Sequence, residues 1–313
     1  YTLKGDGLET WHPTFVYHGF RYVEISGVLP EDIEGQVVND DLTSIGTFET
    51  SDPTLNQIYK NAVWGIRSNY KGMPVDCPQR NERMPWLGDR ATGALGESFV
   101  FDNSKLYAKW LDDIADAQLE TGAIPDVAPA YWRYYSDNMT WPAAYILIAG
   151  YLYNQFGDEA PMRKHYPAMK RWLTYMRNKY YIDGIMTKDK YGDWCAPRPT
   201  DGKLIATAMY YHLLTVMHTY AGLLHDKTDQ DEFAEQAARV KASFNQHFQN
   251  KESLTANLLP LYFNMVPDSE RHQVFKNIVD TIHRNGDHLS TGVIGTQFLM
   301  RTLTENGRAD LAY

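Results

Sequence analysis

Apolar positions fall into two rhythms along this chain. Between residues 14 and 28, Tyr17, Phe20, Tyr22 and Ile25 are separated by polar neighbours, the alternation of a half-buried strand. Short extended pieces continue over 33–48. A strand or two cannot stand alone in water. Residues 1–48 are therefore expected to be the tail of a β-domain, with the rest of that domain upstream. From Ser51 the rhythm becomes helical. Asp52-Pro53 reads as an N-cap with Pro in the first turn, and Leu55, Ile58, Tyr59, Ala62, Val63 and Ile66 follow at helical spacing.

Helical blocks then recur over 88–101, 104–120, 141–156, 160–180, 204–225, 230–249, 255–265, 268–284 and 289–305. Loops rich in Gly, Pro, Asp and aromatics separate them, the longest irregular one running from Tyr180 to Thr200. About ten helices with no strands between them predict an all-α domain over residues 49–313. The number is close to that of an (α/α)6 barrel, with the shortfall on the C-terminal side. The stretch from Asn138 to Gly157 carries no charge. Its apolar centre, Trp141–Tyr153, is about 13 residues and contains Pro142 and Gly150, whereas a membrane span needs about 20. A buried inner helix with Thr140 as N-cap is expected instead, and no membrane span.

Charge and composition narrow the function. The 30 Lys and Arg against 39 Asp and Glu leave a net charge of −9. That balance argues against a nucleic-acid partner, which calls for a basic face. A hydrophobic share of 43% supports a sizeable core. Tyr, at 22 residues, dominates the aromatics. Such an excess also suits a site that stacks on flat apolar faces, sugar rings included. Two cysteines, Cys77 and Cys195, allow no disulfide framework and no zinc ligand set, and free buried thiols are expected. His212, His218 and His225 stand six and seven apart, too scattered to converge on a metal. Neither a Gly-x-Ser-x-Gly elbow nor a phosphate-cradling Gly loop is present. Asn138-Met-Thr matches a glycosylation sequon, a pattern frequent by chance.

The densest chemistry lies in Val75-Asp-Cys-Pro-Gln-Arg-Asn-Glu-Arg-Met-Pro-Trp-Leu-Gly-Asp-Arg90. Two prolines and a glycine keep most of it from being helical. Carboxylates here would accept hydroxyl donors, arginines would orient a carboxylate, and Trp86 would give an apolar wall. The plainer alternative is a salt-bridged loop between helices.

This segment, Asp-Cys-Pro-Gln-Arg-x-Glu-Arg followed by Trp-x-Gly-Asp, closely resembles the signature of the bacterial α-L-rhamnosidases of glycoside hydrolase family 78. His18 to Glu24, Gly46-x-Phe48, Asn56-x-Ile-Tyr59, Gly122 to Asp126, Asp137-x3-Trp141-Pro142, Gly192-Asp-Trp194, Thr255-Ala-Asn257, Val266-Pro267 and Thr291 to Gly295 follow in family order. The resemblance implies an (α/α)6 catalytic domain behind a β-sandwich, a carbohydrate substrate and no cofactor. It implies Glu82 as general acid. Asp76, Arg80 and Asp89 would hold rhamnose hydroxyls or position that acid, and Trp86, Trp141 and Trp194 would wall the sugar pocket. Asn81 and Met84-Pro85 depart from the common pattern. Asn81 lowers the local negative charge by one, and Met84-Pro85 reshapes the loop or marks another substrate.

The implied mechanism is inverting hydrolysis, in which one carboxylic acid protonates the leaving oxygen and a second carboxylate activates water. The family's base is a Glu in a Trp-Glu segment expected past Tyr313. Glu305 and Asp310 read as solvated helix residues. These 313 residues alone are therefore expected to be inactive. Removal of terminal α-L-rhamnose is the expected activity. A hydrolase for another sugar and a non-catalytic sugar-binding relative are the alternatives. A polysaccharide substrate would favour the periplasm or cell surface.

Overall fold

The structure is a computed structural model that describes every residue except 6, 28, 29 and 250. Its long helices are α1 (Pro53–Ser68), α2 (Leu87–Glu97), α3 (Ser104–Asp116), α4 (Ala144–Phe156) and α5 (Ala160–Tyr180), followed by α6 (Gly202–Leu223), α7 (Lys227–His247), α8 (Leu254–Tyr262), α9 (Arg271–Arg284) and α10 (Val293–Glu305). The short α11 (Ala309–Ala312) ends the described chain.

Alternate helices differ in how much surface they bury, and the sequence shows why. Helix α4 has no charged residue and buries Ala144 to Ala149 without a break, as the uncharged stretch predicts. Helix α8 buries every position from Leu254 to Leu261, and α6 every position from Leu204 to Tyr210. Helices α3, α7 and α9 are one-sided: α9, for instance, buries Val274, Ile278, Thr281 and Ile282 and leaves its charges outside. Helices apolar all round belong inside, and one-sided helices cover them. In space α2, α4, α6, α8 and α10 touch in that order, and α10 returns to α2. Gln297 Nε2 reaches the Ala91 carbonyl at 3.3 Å across this last contact. The fold is of the (α/α)6-barrel class, an inner ring of helices wrapped by outer ones.

This alternation positions the site. Each connection from an outer to an inner helix arrives where an inner helix begins. The segments 69–86, 117–143, 187–201, 248–253 and 285–292 therefore share one end of the ring. At α1 the expected cap is present: Asp52 Oδ1 accepts the Thr54 and Leu55 amides at 2.7 and 3.3 Å.

Several expectations change. The described residues of 1–48 form no strand. Ser44 makes one antiparallel bridge to Phe101, and Phe20, Tyr22 and Val23 stay exposed. Alternation alone does not make a strand without a neighbouring edge to bond. Val28, the end of the expected strand, lies outside the described residues. The segment does meet the helical domain, where the Gly19 amide donates to the Pro78 carbonyl at 2.9 Å.

The stretch after Tyr180 opens with a hairpin, β1 (Tyr181–Ile182) against β2 (Ile185–Met186). Its turn is Asp183-Gly184, both at positive φ (50° and 83°), the dipeptide that such two-residue turns favour. Thr140 does not cap α4; the helix starts after Ala143, and Thr140 Oγ1 bonds Asn138 and Asp189 instead. The block at 268 begins as a 3-10 turn, Asp268–Glu270. No helix among the described residues is long and apolar enough to cross a membrane.

Candidate active site

The loop between α1 and α2 is folded by its own carboxylate. The Asp76 amide donates to the Met84 carbonyl at 2.8 Å, and the Met84 amide donates back to Asp76 Oδ1 at 2.7 Å. Met84-Pro85, the departure from the family pattern, thus supplies the backbone that fixes Asp76. Cys77 Sγ donates to the other oxygen, Oδ2, at 3.1 Å. Burial, followed by this bond to Asp76, pushes the Cys77 thiol up. Arg83 takes the left-handed φ of 48°, uncommon for a side chain of its size, and turns the chain just after Glu82.

Glu82 is held from below by Trp86, whose indole Nε1 donates to Oε1 at 2.7 Å. Its second oxygen, Oε2, lies 3.6 Å from Arg80 Nη1. The Arg80 side chain is mostly in water, so this pair contributes little to stability. Asp89 stands in the first turn of α2. It is open to solvent yet ringed by protein. Desolvation pushes its carboxyl up to about 6, with Asp76 and Glu82 adding to the rise and Arg90 opposing it.

Beneath the loop lies a buried polar anchor. Arg90 pairs with Glu97 at 2.7 Å, and both side chains are almost wholly enclosed. Tyr70 and Tyr107 donate their hydroxyls to the same carboxylate, and the other Arg90 amino group donates to the Val75 carbonyl. Val75 immediately precedes Asp76, so the network ties the loop to α2.

Three expected aromatics meet through a fourth that sequence reasoning passed over. Tyr191 stacks on Trp141 (centroids 4.4 Å apart, 26° between planes) and sets its edge against Trp86 at 6.3 Å and Trp194 at 6.0 Å. Trp141 is only 3% exposed, and Gly88 lies against its indole. Its face is turned to protein rather than to an open pocket. Trp194 is 52% exposed. Trp86 also stacks on Tyr134 at 5.6 Å, with 16° between the rings.

Tyr191 is fixed in turn by Asp126, which accepts its hydroxyl at 2.8 Å. Asp126 is fully buried and also accepts Ser136 Oγ and Asn138 Nδ2, both at 2.9 Å. Burial pushes its carboxyl up, against these donors. Asn138 is therefore an internal strut, inaccessible to a glycosyl transferase in the folded chain. Asp189, its carboxyl pushed up to about 6 by burial, joins the loops by accepting the Met139, Tyr191 and Gly192 amides.

Asp193 serves α10. Its carboxylate accepts the Gly292 and Gly295 amides at 2.8 and 2.9 Å, capping that helix from another loop.

The structure thus gathers Asp76, Arg80, Glu82, Trp86 and Asp89 on one loop and helix start. Trp141 and Trp194 join them through Tyr191. Tyr191, Tyr134, Asp126 and Asn138 were not foreseen as site residues. The one available signal was position, Tyr191 standing just before Gly192-Asp-Trp194 and Asp126 inside the Gly122 to Asp126 motif.

Both cysteines are free; Cys77 is buried as expected, whereas Cys195 is exposed. Among the described residues one trio of ligand types converges, Asp76, Cys77 and Glu82, with ligand atoms within 4.8 Å of one another. Asp76 already spends both oxygens on internal donors. His212 is half-buried with its ring flat against Phe263, centroids 4.2 Å apart, and desolvation lowers its pKa to about 4.

Residues 43–313 match the family described as the bacterial alpha-L-rhamnosidase 6 hairpin glycosidase domain, and residues 1–46 match the bacterial alpha-L-rhamnosidase concanavalin-like domain. The chain belongs to the bacterial α-L-rhamnosidase family. An alpha-L-rhamnosidase of Streptomyces avermitilis is 33% identical over 328 residues, covering 100% of this chain and 31% of the relative. A solved structure of a Streptomyces avermitilis alpha-L-rhamnosidase, complexed with L-rhamnose, superposes with a TM-score of 0.93 at 33% identity, over 100% of this chain and 31% of that one. The alpha-L-rhamnosidase of Dictyoglumus thermophilum is 38% identical with a TM-score of 0.87, over 92% of this chain and 34% of that chain. The chain thus spans about a third of the length of these rhamnosidases.

Proposed function

We propose that this chain carries the acid side of an inverting glycoside hydrolase that removes terminal α-L-rhamnose from glycans or plant glycosides. Glu82 is the group that protonates the glycosidic oxygen. The observation that carries the reading is its placement. One oxygen is fixed by the Trp86 indole at 2.7 Å, among carboxylates on one side and aromatic rings on the other. Asp76, Arg80 and Asp89 hold sugar hydroxyls or position the acid, and Trp86 and Trp194 offer apolar faces, with Trp141 backing Tyr191.

Asp76 does not serve as the second carboxylate. Its ligand atom lies within 4.8 Å of that of Glu82, whereas an inverting pair stands about 6.5–9.5 Å apart to admit a water. Asp310 is paired with Arg308, and Glu305 is exposed at the end of α10. The base is assigned to the Trp-Glu segment that the family resemblance puts after residue 313. Residues 1–48 are read as the end of the β-sandwich and linker, and 49–313 as barrel. No cofactor takes part in this scheme.

The test is Glu82→Gln in the full-length protein. Hydrolysis of 4-nitrophenyl α-L-rhamnoside falls about 10²–10⁴-fold, the usual worth of a positioned acid, while L-rhamnose binding is kept. Unchanged turnover overturns the assignment.

A further inference from the structure

Away from the carboxylates of the α1–α2 loop, a groove of about 550 Å³ runs along the outer face of α5. Lys170, Arg171, Thr174, Tyr175, Asn178 and Lys179 line it, and Thr121, from the segment between α3 and α4, joins them. Steps of three and four put these α5 positions on one stripe of the helix. Gly122 lets the α3–α4 segment lie directly on α5, since a Cβ there would stand 2.8 Å from the Arg171 carbonyl. The sequence makes the stripe basic. Helix α5 carries six Lys and Arg and no Asp or Glu, in a chain of net charge −9. Among the described residues none of the side chains lining the groove is acidic.

The acids that balance these cations lie behind them. Lys170 pairs with Asp229, and its side chain is 39% exposed against 9% for the acid. Lys179 pairs with Asp137 at 2.8 Å, with 49% exposed against 12%. Arg171 has no carboxylate partner among the described residues, and its Nε donates to the neutral Gln118 side chain at 3.1 Å. Three positive charges thus stand over two negative ones set inside. An anion in the groove meets ammonium and guanidinium groups first. Thr174 and Asn178, both exposed, add a hydroxyl and an amide beside the cations. Tyr175 spends its hydroxyl on Asp137 at 2.9 Å and offers only its ring. The groove continues past Lys170 and Thr174 to Arg177, where Glu232 at 3.5 Å is the first carboxylate to share its surface. Cations, small polar groups and a ring together suit an acidic sugar. The cations take its charge, and the hydroxyl and amide take its ring hydroxyls.

The groove and the candidate active site share a wall. Gln118, Thr121 and Asp137 belong to the segment 117–143, and Asn138, next to Asp137, donates to the Asp126 that holds Tyr191. That segment stands at the end of the ring where the inner helices begin. We propose that the α5 groove is a second carbohydrate site, separate from Glu82, that takes an anionic sugar residue of an acidic polysaccharide. The anion is a carboxylate or a sulfate ester. The role of the groove, holding such a chain beside the acid, rests on the rhamnoside-hydrolase reading. Its binding chemistry rests on the groove alone.

Calorimetric titration of the full-length protein decides it. Oligogalacturonate is the carboxylate probe, low-mass dextran sulfate the sulfate probe and dextran the neutral one. At least one acidic chain binds, dextran does not, and binding weakens as salt is added. Whichever acidic chain binds more tightly identifies the anion. Arg171→Gln raises its Kd about two- to fivefold, the scale of one exposed charge pair, and Arg171→Lys restores most of the affinity. Thr174→Glu sets a carboxylate among the cations and raises Kd about tenfold. Arg239→Gln makes the same change of charge on α7 and leaves Kd within about twofold. Hydrolysis of 4-nitrophenyl α-L-rhamnoside, which carries no acidic chain, is unchanged in these variants. KM for a rhamnose-terminated chain of the bound acidic sugar rises in Thr174→Glu. Binding of neither acidic chain by the wild type, equal affinity for dextran, an unchanged Kd or KM in Thr174→Glu, or an equal loss in Arg239→Gln overturns the proposal. Should the wild type hydrolyse no rhamnoside, the proposed activity falls, and the titration still decides the groove.

Discussion

Trp86 donates its indole N–H to Glu82 Oε1 at 2.7 Å while its ring lies on Tyr134 at 5.6 Å. One side chain thus orients Glu82, the proposed acid, and joins it to the neighbouring aromatic rings. Replacing Trp86 with Phe keeps a ring for Tyr134 and removes the donor. A hydrogen bond to a charged group contributes about 1.5–3 kcal/mol, so kcat on 4-nitrophenyl α-L-rhamnoside falls about 10- to 100-fold. KM changes much less, because the ring face remains. A raised KM with kcat intact would mean that the indole only binds sugar.

Gly88 has no room for a side chain. A Cβ there would sit 2.2 Å from the Trp141 indole, which is stacked on Tyr191. Gly88→Ala therefore moves Trp141 and, through Tyr191, the aromatic wall. Overpacking of this kind costs about 1–3 kcal/mol. The urea midpoint drops, and rhamnose affinity drops with it. A variant of lowered stability and unchanged affinity would place Tyr191 outside the sugar pocket.

What the chain disclosed in advance divides along sequence separation. Asp52-Pro53 announced α1, and the uncharged Asn138–Gly157 stretch announced a buried helix, because caps and burial patterns are local. The α1–α2 loop was legible for the same reason, Asp76, Glu82 and Asp89 standing within one short run. Tyr191 and Asp126 were not, since their bond joins two loops 65 residues apart. Thr140 misled because its hydroxyl is claimed by Asp189, 49 residues on, rather than by the helix it precedes. The alternation at Tyr17 to Ile25 was real as a pattern, but a strand needs an edge to pair with, and none lies beside it among the described residues.

The Glu97 carboxylate holds together what surrounds it. Arg90, Tyr70 and Tyr107 all donate to it, and Arg90 carries the hold on to the Val75 carbonyl. Glu97→Ala leaves the Arg90 charge buried without a counterion. Removing one partner of such a pair costs about 3–5 kcal/mol. Glu97→Gln keeps an acceptor and the shape and is expected to cost less. Chemical denaturation of both variants checks the order. A loss below about 1 kcal/mol in Glu97→Ala would show that water reaches the pair.

Asp89 gives the site a pH dependence whose sign can be worked out. Its carboxyl is pushed up to about 6 in the folded chain, first by desolvation and then by Asp76 and Glu82, with Arg90 opposing. In the unfolded chain an Asp titrates near about 3.9. Between these values the folded state holds a proton that the unfolded state has released. The group's contribution to stability is therefore complete below about pH 4 and is lost as pH rises through about 6. Asp89→Asn has nothing to titrate. Its stability relative to the wild type should climb from pH 4 to 6 and then level off, because the losses from Asp189 and Asp126, whose carboxyls are also raised, are common to both proteins. Because the carboxyl is open to solvent, the slope is expected to be shallow. Parallel pH curves for the two proteins, measured by thermal unfolding, would show that Asp89 keeps an ordinary affinity for its proton and that the loop does not crowd it.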